Sequence, residues 1–241
     1  MKKKKKIFIV VCSIFIFAIF AERKQSITQK TIDNHWKDIS HWTYGCSSIL
    51  RENNTVYSWE NIKDMNFSTA WVEGAVGDGI KEWIIVPVHG LYQYLSYEHG
   101  ILNKKLNITL KINNGFCKSE ATFKNNNRVK KAEITIYEVP LAAYEDSRGT
   151  QALDEPSVMY ETEIELKDSM EEQDFSFEVS PKGTFEHGSL YLYCQLTILE
   201  VYPGEKYHDT CISEMHATAE VIKEQPAGSP SKRRNKSRWQ K

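Results

Sequence analysis

The sequence predicts an all-β protein, an antiparallel β-sandwich of the jelly-roll type, on three observations. Segments rich in Gly, Pro, Asn and Ser separate the apolar stretches at short intervals, as turns do between strands. Helical periodicity is nearly absent beyond residue 43. Apolar and polar residues alternate with period 2, as in half-buried strands, in the segments 106–112, 132–136, 158–166, 175–179 and 190–198.

Two atypical ends flank the predicted sandwich, which covers residues 44–222. Five lysines precede an apolar run of 15 residues, Ile7 to Ala21, which is the layout of a signal peptide and is shorter than the roughly 20 residues of a membrane-spanning helix. We predict that residues 1–21 are a signal peptide or an uncleaved membrane anchor. Residues 22–43 read as a linker with some helical pattern, and 223–241 as a disordered basic tail. The predicted location is extracytoplasmic: secreted, periplasmic or anchored facing outward.

Charge and cysteine content narrow the functional classes. Without the lysines of the leader, 26 basic residues face 32 acidic ones, which argues against a nucleic-acid partner. Contact with a membrane is expected only through an uncleaved N-terminal segment.

In an oxidising compartment the four remaining cysteines permit two disulfides, and we favour a pair between Cys46 and Cys211 because domain ends often lie together. Free thiols are the alternative, and zinc is disfavoured because the sequence has no C-x-x-C unit.

The segment 61–83 carries the densest motif in the chain. Its residues Asn61, Asp64, Asn66 and Thr69-Ala70-Trp71 resemble the N-x-x-D-G-N-x-x-T-A-W pattern of discoidin and coagulation-factor type C domains. The continuation resembles a narrower family, the NADase-type glycan-binding domain, named for the translocation domain that precedes the catalytic part of certain secreted NAD glycohydrolases. Blocks within 114–130 and 199–214 match in the same order. The resemblance implies a discoidin-like, galactose-binding-like sandwich that binds glycans without catalysis.

Glycan binding needs aromatic faces and planar polar side chains on loops of a rigid scaffold. Structural roles compete with these: Trp71 as a core residue, Glu73 and Asp78 as caps of loop amides, and Arg128 as the ion-pair partner of one of these two carboxylates. Gly77 and Gly79 are expected to form a tight turn. The candidate ligand-binding residues, in or beside the matching motifs, are Trp71, Glu73, Asp78, Lys118, Asn126, Arg128 and Tyr207.

The turn from Asp64 to Thr69 is a candidate calcium site. It offers a carboxylate, an amide and several carbonyl groups, and calcium takes six to eight oxygen ligands. In discoidin-like modules a carboxylate near the C-terminus closes such a site. Met65 stands where the family pattern has glycine, which disfavours a positive φ there; an Asp that caps the turn without an ion is the alternative. The predicted structural calcium ligands are Asp64, Asn66, Thr69 and Glu214.

Catalytic motifs are missing from the sequence. It has no G-x-S-x-G, no H-E-x-x-H and no phosphate-binding glycine loop, so we expect no enzyme activity. An unrecognised hydrolase is the lesser alternative. A cell-envelope scaffold that binds proteins, through an aromatic-rich insertion at 89–105 or through the basic tail, is the other. The sequence leaves the oligomeric state open.

Overall fold

The computed structural model describes residues 44–90, 104–143, 150–152, 156–181 and 189–222. The predicted leader, linker and basic tail, and most of the 89–105 insertion, lie outside the described residues. Within them, no helix has the length and the apolar character that crossing a membrane requires.

Twelve strands, one α-helix and a 3₁₀ turn make up the described chain. The helix α1 covers Glu120–Asn125, and the 3₁₀ turn covers Trp59–Ile62. The strands are β1 Gly45–Cys46, β2 Arg51–Glu52, β3 Thr55–Val56, β4 Trp71–Val72, β5 Trp83–His89, β6 Leu106–Asn114, β7 Asn127–Ala143, β8 Thr150–Ala152, β9 Ser157–Glu165, β10 Gln173–Val179, β11 Ser189–Tyr202 and β12 Thr210–Val221.

Two antiparallel layers form a sandwich, which confirms the predicted all-β architecture. One layer pairs β1, β5, β11, β7 and β9 in that order. The other pairs β4, β12, β6 and β10. Short parallel contacts of β12 with β5 and with β7 join the layers into one hydrogen-bonded sheet of ten strands, while β2 and β3 form a separate hairpin.

The core explains why alternation identified some strands and missed others. Along β6 the side chains of Leu106, Ile108, Leu110 and Ile112 are fully buried in the main hydrophobic cluster, and the residues between them are half-buried. The five alternating segments lie in β6, β7, β9, β10 and β11, except that Leu166 follows the last residue of β9. In contrast, β5 is apolar from Trp83 to Val88, because alternate residues enter two different clusters on its two faces. Its period-2 signal is therefore absent from the sequence.

The four cysteines among the described residues are free thiols, so the predicted Cys46–Cys211 disulfide is not formed. The two residues belong to different parts of the interior: Cys46 packs against the main core from β1, while Cys211 lies with Ala70 and Val72 in a small separate cluster. Burial raises the pKa of the Cys194 thiol to about 12 and that of Cys46 to about 11. Both thiols are therefore protonated, unreactive core groups.

One end of the sandwich gathers the loops that carry the candidate motifs. The strands β7 and β12 begin there, and β6 and β11 end there. We call this region the loop end and define it by residues 73–82, 115–126, 166–172 and 203–209. The described chain starts and finishes at the opposite end, since the Tyr44 hydroxyl lies 3.4 Å from His89 Nε2 and the Ile222 amide donates to the Lys105 carbonyl.

Candidate ligand-binding site

The first loop of the loop end folds around the buried carboxylate of Glu73. Its Oε2 accepts a hydrogen bond from the Ala75 amide at 2.7 Å, and its Oε1 accepts one from the Thr210 amide at 3.1 Å. Burial raises the pKa of this carboxyl to about 7, against the opposing effect of the two amides. Gly79, at φ +68°, passes so close that a β-carbon there would lie 2.7 Å from the Glu73 side chain. The expectation that Glu73 caps loop amides is thus confirmed.

Asn127 and Asp78 join the loops to one another. The Asn127 amide, fully buried at the start of β7, donates to Asp78 Oδ1 at 3.1 Å and to the His208 carbonyl at 2.6 Å. Its Oδ1 accepts from the Gly204 amide at 2.6 Å. Asp78 Oδ1 also lies 2.9 Å from His208 Nδ1, and this contact lowers the pKa of Asp78. One buried amide therefore fixes the spacing of two exposed loops.

The loop 203–209 is fastened to the end of α1. The last carbonyl groups of a helix have no partners within it. Here the Glu205 amide donates to the Lys124 carbonyl, and the Lys206 and Tyr207 amides donate to the Asn125 carbonyl. Tyr207 remains 43% exposed, with the Lys206 ammonium 4.8 Å from its ring centroid. The sequence thus presents an anchored aromatic ring at the loop end.

The loops that carry Asp78 and His208 also expose apolar side chains. Val76 is completely exposed at the tip of the first loop, and Ile80 is 46% exposed at its end. Gly77 and Gly79 have positive φ values of +107° and +68°, which confirms the expected tight turn. Together with Tyr207, these residues give the loop end a mixed apolar and polar surface, the kind of surface that suits a sugar ring.

Trp71 is a core residue, which corrects its assignment to a ligand surface. It is fully buried on β4, and its indole Nε1 donates to the Ser48 carbonyl at 3.0 Å. An enclosed ring has no face to offer a ligand.

Arg128 is also committed to the fold. Its guanidinium makes a bidentate ion pair with Asp168, at 3.0 and 2.8 Å, and donates to the carbonyl groups of Asn126 and Pro203. The partner is therefore Asp168 rather than either predicted carboxylate. Asn126 is half-buried and uses its side-chain amide on the Thr122 carbonyl. Lys118 is exposed just before α1 and makes no contact with the Asp78 network among the described residues.

The four predicted calcium ligands do meet at one turn. Asp64 Oδ1 accepts from the Asn66 amide at 2.9 Å, and its Oδ2 accepts from the Thr69 hydroxyl at 2.8 Å. Glu214 Oε1, from β12, accepts from the same Asn66 amide at 2.9 Å. Met65 takes φ +57°, so the expectation that a non-glycine residue would avoid positive φ here is wrong. Its side chain is 84% exposed.

Glu214 is the part of this turn that fits a cation. Its Oε2 is buried and makes no hydrogen bond among the described residues, and its neighbour is His216 Nε2 at 3.4 Å. Burial, helped by the neighbouring charge of Asp64, raises the pKa of Glu214 to about 7. Two adjacent carboxyl groups with an unsatisfied oxygen favour either a shared proton or a metal ion. Among the described residues no group of three or more His, Cys, Asp or Glu side chains is arranged to hold a metal, so hydroxyl or carbonyl oxygens would complete the ligand set.

Sequence reasoning missed four residues that organise the loop end: His208, Asn127, Thr210 and Asp168. Each acts across a large sequence separation, as in the Asp78–His208 contact, so no local pattern marks it. Three of the four, Asn127, His208 and Thr210, lie in the segments that match the family. Asn127 and His208 each stand next to a candidate ligand residue, and that position was the signal from which their roles could have been predicted.

Comparisons with known proteins agree with this architecture. No curated protein matches the chain. Eleven chains of solved structures are similar, among them the arabinofuranosyltransferase AftD from Mycobacteria, at 12% identity and a TM-score of 0.39. That match covers 78% of this chain and 13% of AftD. The model of one domain family, the NAD glycohydrolase translocation F5/8 type C domain, matches residues 37–218, and the chain therefore belongs to that family.

Proposed function

We propose that the chain is an exported, non-catalytic module that binds glycans at the loop end. Membership of an F5/8 type C family indicates a binding module. The observation that carries the glycan proposal is the network of Asn127, Asp78 and His208, which holds two loops at a fixed spacing beside Tyr207. A preorganised site of this kind loses little entropy when it binds a ligand.

The surface offers what a sugar ring requires. Tyr207 supplies a partly exposed aromatic face, and Val76 and Ile80 supply apolar contact for C–H groups. Asp78 and His208 supply polar atoms between them, with side chains 49% and 82% exposed. In this proposal Tyr207 supplies the aromatic contact that the sequence predicted for Trp71, which is buried.

A carbohydrate array tests the proposal. We expect saturable binding to a subset of glycans by the full chain, weakened about tenfold or more in Tyr207→Ala, because aromatic contacts are typical hot spots of recognition. Phe67→Ala is the matched control, since Phe67 is 51% exposed but lies in the Asp64–Thr69 turn rather than at the loop end. Absence of binding to every glycan, or equal loss in both variants, contradicts the proposal.

We propose in addition that the Asp64–Thr69 turn holds a structural calcium ion. Glu214 and Asp64 would hold it through their carboxylates, with Thr69 and Asn66 contributing oxygens. The ion would supply positive charge to two carboxyl groups that otherwise repel. The observation that supports it is the buried Glu214 Oε2, which makes no hydrogen bond among the described residues although His216 Nε2 lies 3.4 Å away.

Thermal unfolding tests the calcium proposal. At a calcium concentration 100 times the Kd, binding contributes about 2.7 kcal/mol, which raises the Tm of a domain of this size by about 5–10 °C. The Glu214→Gln variant should lose this response. The control Glu178→Gln, an exposed carboxylate on β10, should keep it. An identical Tm in calcium and in chelator contradicts the site.

The described chain joins its flanking segments at the end opposite the loop end. Residue 44 and residue 222 both lie at the end opposite the loop end. The proposal of export rests on the signal-peptide or anchor layout of residues 1–21 and on the family match. Fractionation of the producing cells tests the proposed export. A protein found in the cytoplasm would contradict it.

A further inference from the structure

Asp78 and His208 lie side by side at the loop end, and we propose that they form a two-acceptor clamp for a pair of adjacent hydroxyl groups on an uncharged sugar. The inference rests on the proposed function and names the ligand chemistry of the same site. The proposal follows from the direction of the hydrogen bond between Asp78 and His208. This bond leaves Asp78 Oδ2 and His208 Nε2 as acceptors without a donor among the described residues.

The direction of the hydrogen bond is fixed by chemistry. Asp78 Oδ1 lies 2.9 Å from His208 Nδ1. Oδ1 also accepts from the Asn127 amide, and an ionised carboxylate can only accept. The proton between Asp78 and His208 is therefore on Nδ1. In a neutral imidazole with a proton on Nδ1, Nε2 carries a lone pair and accepts hydrogen bonds.

Two acceptor atoms remain open to solvent. Both contacts of Asp78 use Oδ1, so Oδ2 has no donor among the described residues, and the same holds for His208 Nε2. The side chains are 49% and 82% exposed. Because the two groups are joined at 2.9 Å, Oδ2 and Nε2 are within reach of one sugar ring. Two neighbouring hydroxyl groups, each donating its proton, satisfy both acceptors.

The same arrangement disfavours an anionic sugar. A sulfate, phosphate or carboxylate needs donors, and the clamp offers none while it repels negative charge through Asp78. The donors beneath it are already in use: Asn127 donates to Asp78 and to the His208 carbonyl, and the Arg128 guanidinium is paired with Asp168. The Lys206 ammonium lies 4.8 Å from the Tyr207 ring centroid and is not one of the clamp atoms. The chemical class that fits is a neutral sugar with adjacent free hydroxyls.

The test uses the full chain and a panel of the methyl glycosides of mannose, galactose and glucose, their monodeoxy analogues and the corresponding uronic acids. Affinities come from the shifts of amide resonances during titration. We expect that removal of either of two neighbouring hydroxyls weakens binding about tenfold, the loss typical of a hydrogen bond to a charged group. Other deoxy positions should change Kd less than twofold, and the uronic acids should not bind more tightly.

Variants separate the clamp from glycan binding in general. His208→Ala, at an exposed position, should keep the wild-type Tm and lose about tenfold in affinity, and Asp78→Asn should lose at least as much. Glu205→Ala, exposed on the same loop, is the control and should bind as the wild type does. Binding that ignores His208→Ala, or a preference for uronic acids, overturns the clamp while glycan binding stands. No binding by any member of the panel overturns both.

Discussion

The buried carboxyl of Glu73 makes the stability of the domain depend on pH. Its pKa is raised to about 7 from an ordinary value of 4.5. The folded chain therefore keeps a proton between pH 4.5 and 7 that the unfolded chain releases, so the contribution of Glu73 to stability is present at acidic pH and is lost as pH rises through this window. A difference of this size corresponds to about 3 kcal/mol. Glu73→Gln removes the titration and should remove that part of the pH dependence.

Urea unfolding in chelator, followed by tryptophan fluorescence at pH 5 and pH 8, measures the effect. The wild type should lose about 3 kcal/mol more than Glu73→Gln between these two values. Glu214 titrates in the same range, so only the difference between the two proteins is assigned to Glu73. Glu205→Gln, an exposed glutamate on the neighbouring loop, should follow the wild type. Equal pH dependence in wild type and Glu73→Gln would refute the assignment.

Two further predictions concern backbone conformation. Gly79→Ala should destabilise the domain by about 3 kcal/mol, because strain at φ +68° adds to a clash 2.7 Å from the Glu73 side chain. Gly77→Ala, at φ +107° with nothing within 4 Å, should lose only the strain, about 1–2 kcal/mol; equal losses would contradict the contact with Glu73. Met65→Gly should stabilise the domain by up to about 1 kcal/mol, since Met65 has φ +57° and an exposed side chain. Urea unfolding measures each, and a loss of stability in Met65→Gly would contradict strain in the turn.

The strands were predictable where one face of each is buried, because burial then imposes alternation. β6 and β10 show this, with polar residues such as Thr109 and Ser176 facing each other on the outer side. β5 was not predictable in this way, since Trp83 and Ile85 enter one cluster while Ile84 and Val86 enter another. Its uniform apolar sequence follows from burial on both faces.

The candidate site was predictable only in outline. The family motif selected Asp78 and Tyr207 as candidate ligand residues, but proximity in sequence says nothing about exposure, since Trp71 in the same motif is fully buried. The role of Asn127 depends on contacts with residues 49 and 81 positions away along the chain. Such contacts arise from the pairing of the first residues of β7 and β12, which no local pattern encodes.

Mapping a bound glycan onto the chain tests the central claim most directly. Amide resonances of the full chain, recorded while a glycan identified on an array is added, report which residues contact it. We expect the amide resonances of residues 74–80 and 203–209 to shift most, with His208 and Tyr207 among the largest shifts. Shifts confined to other surfaces of the sandwich, or a spectrum unchanged at saturating glycan, would contradict it.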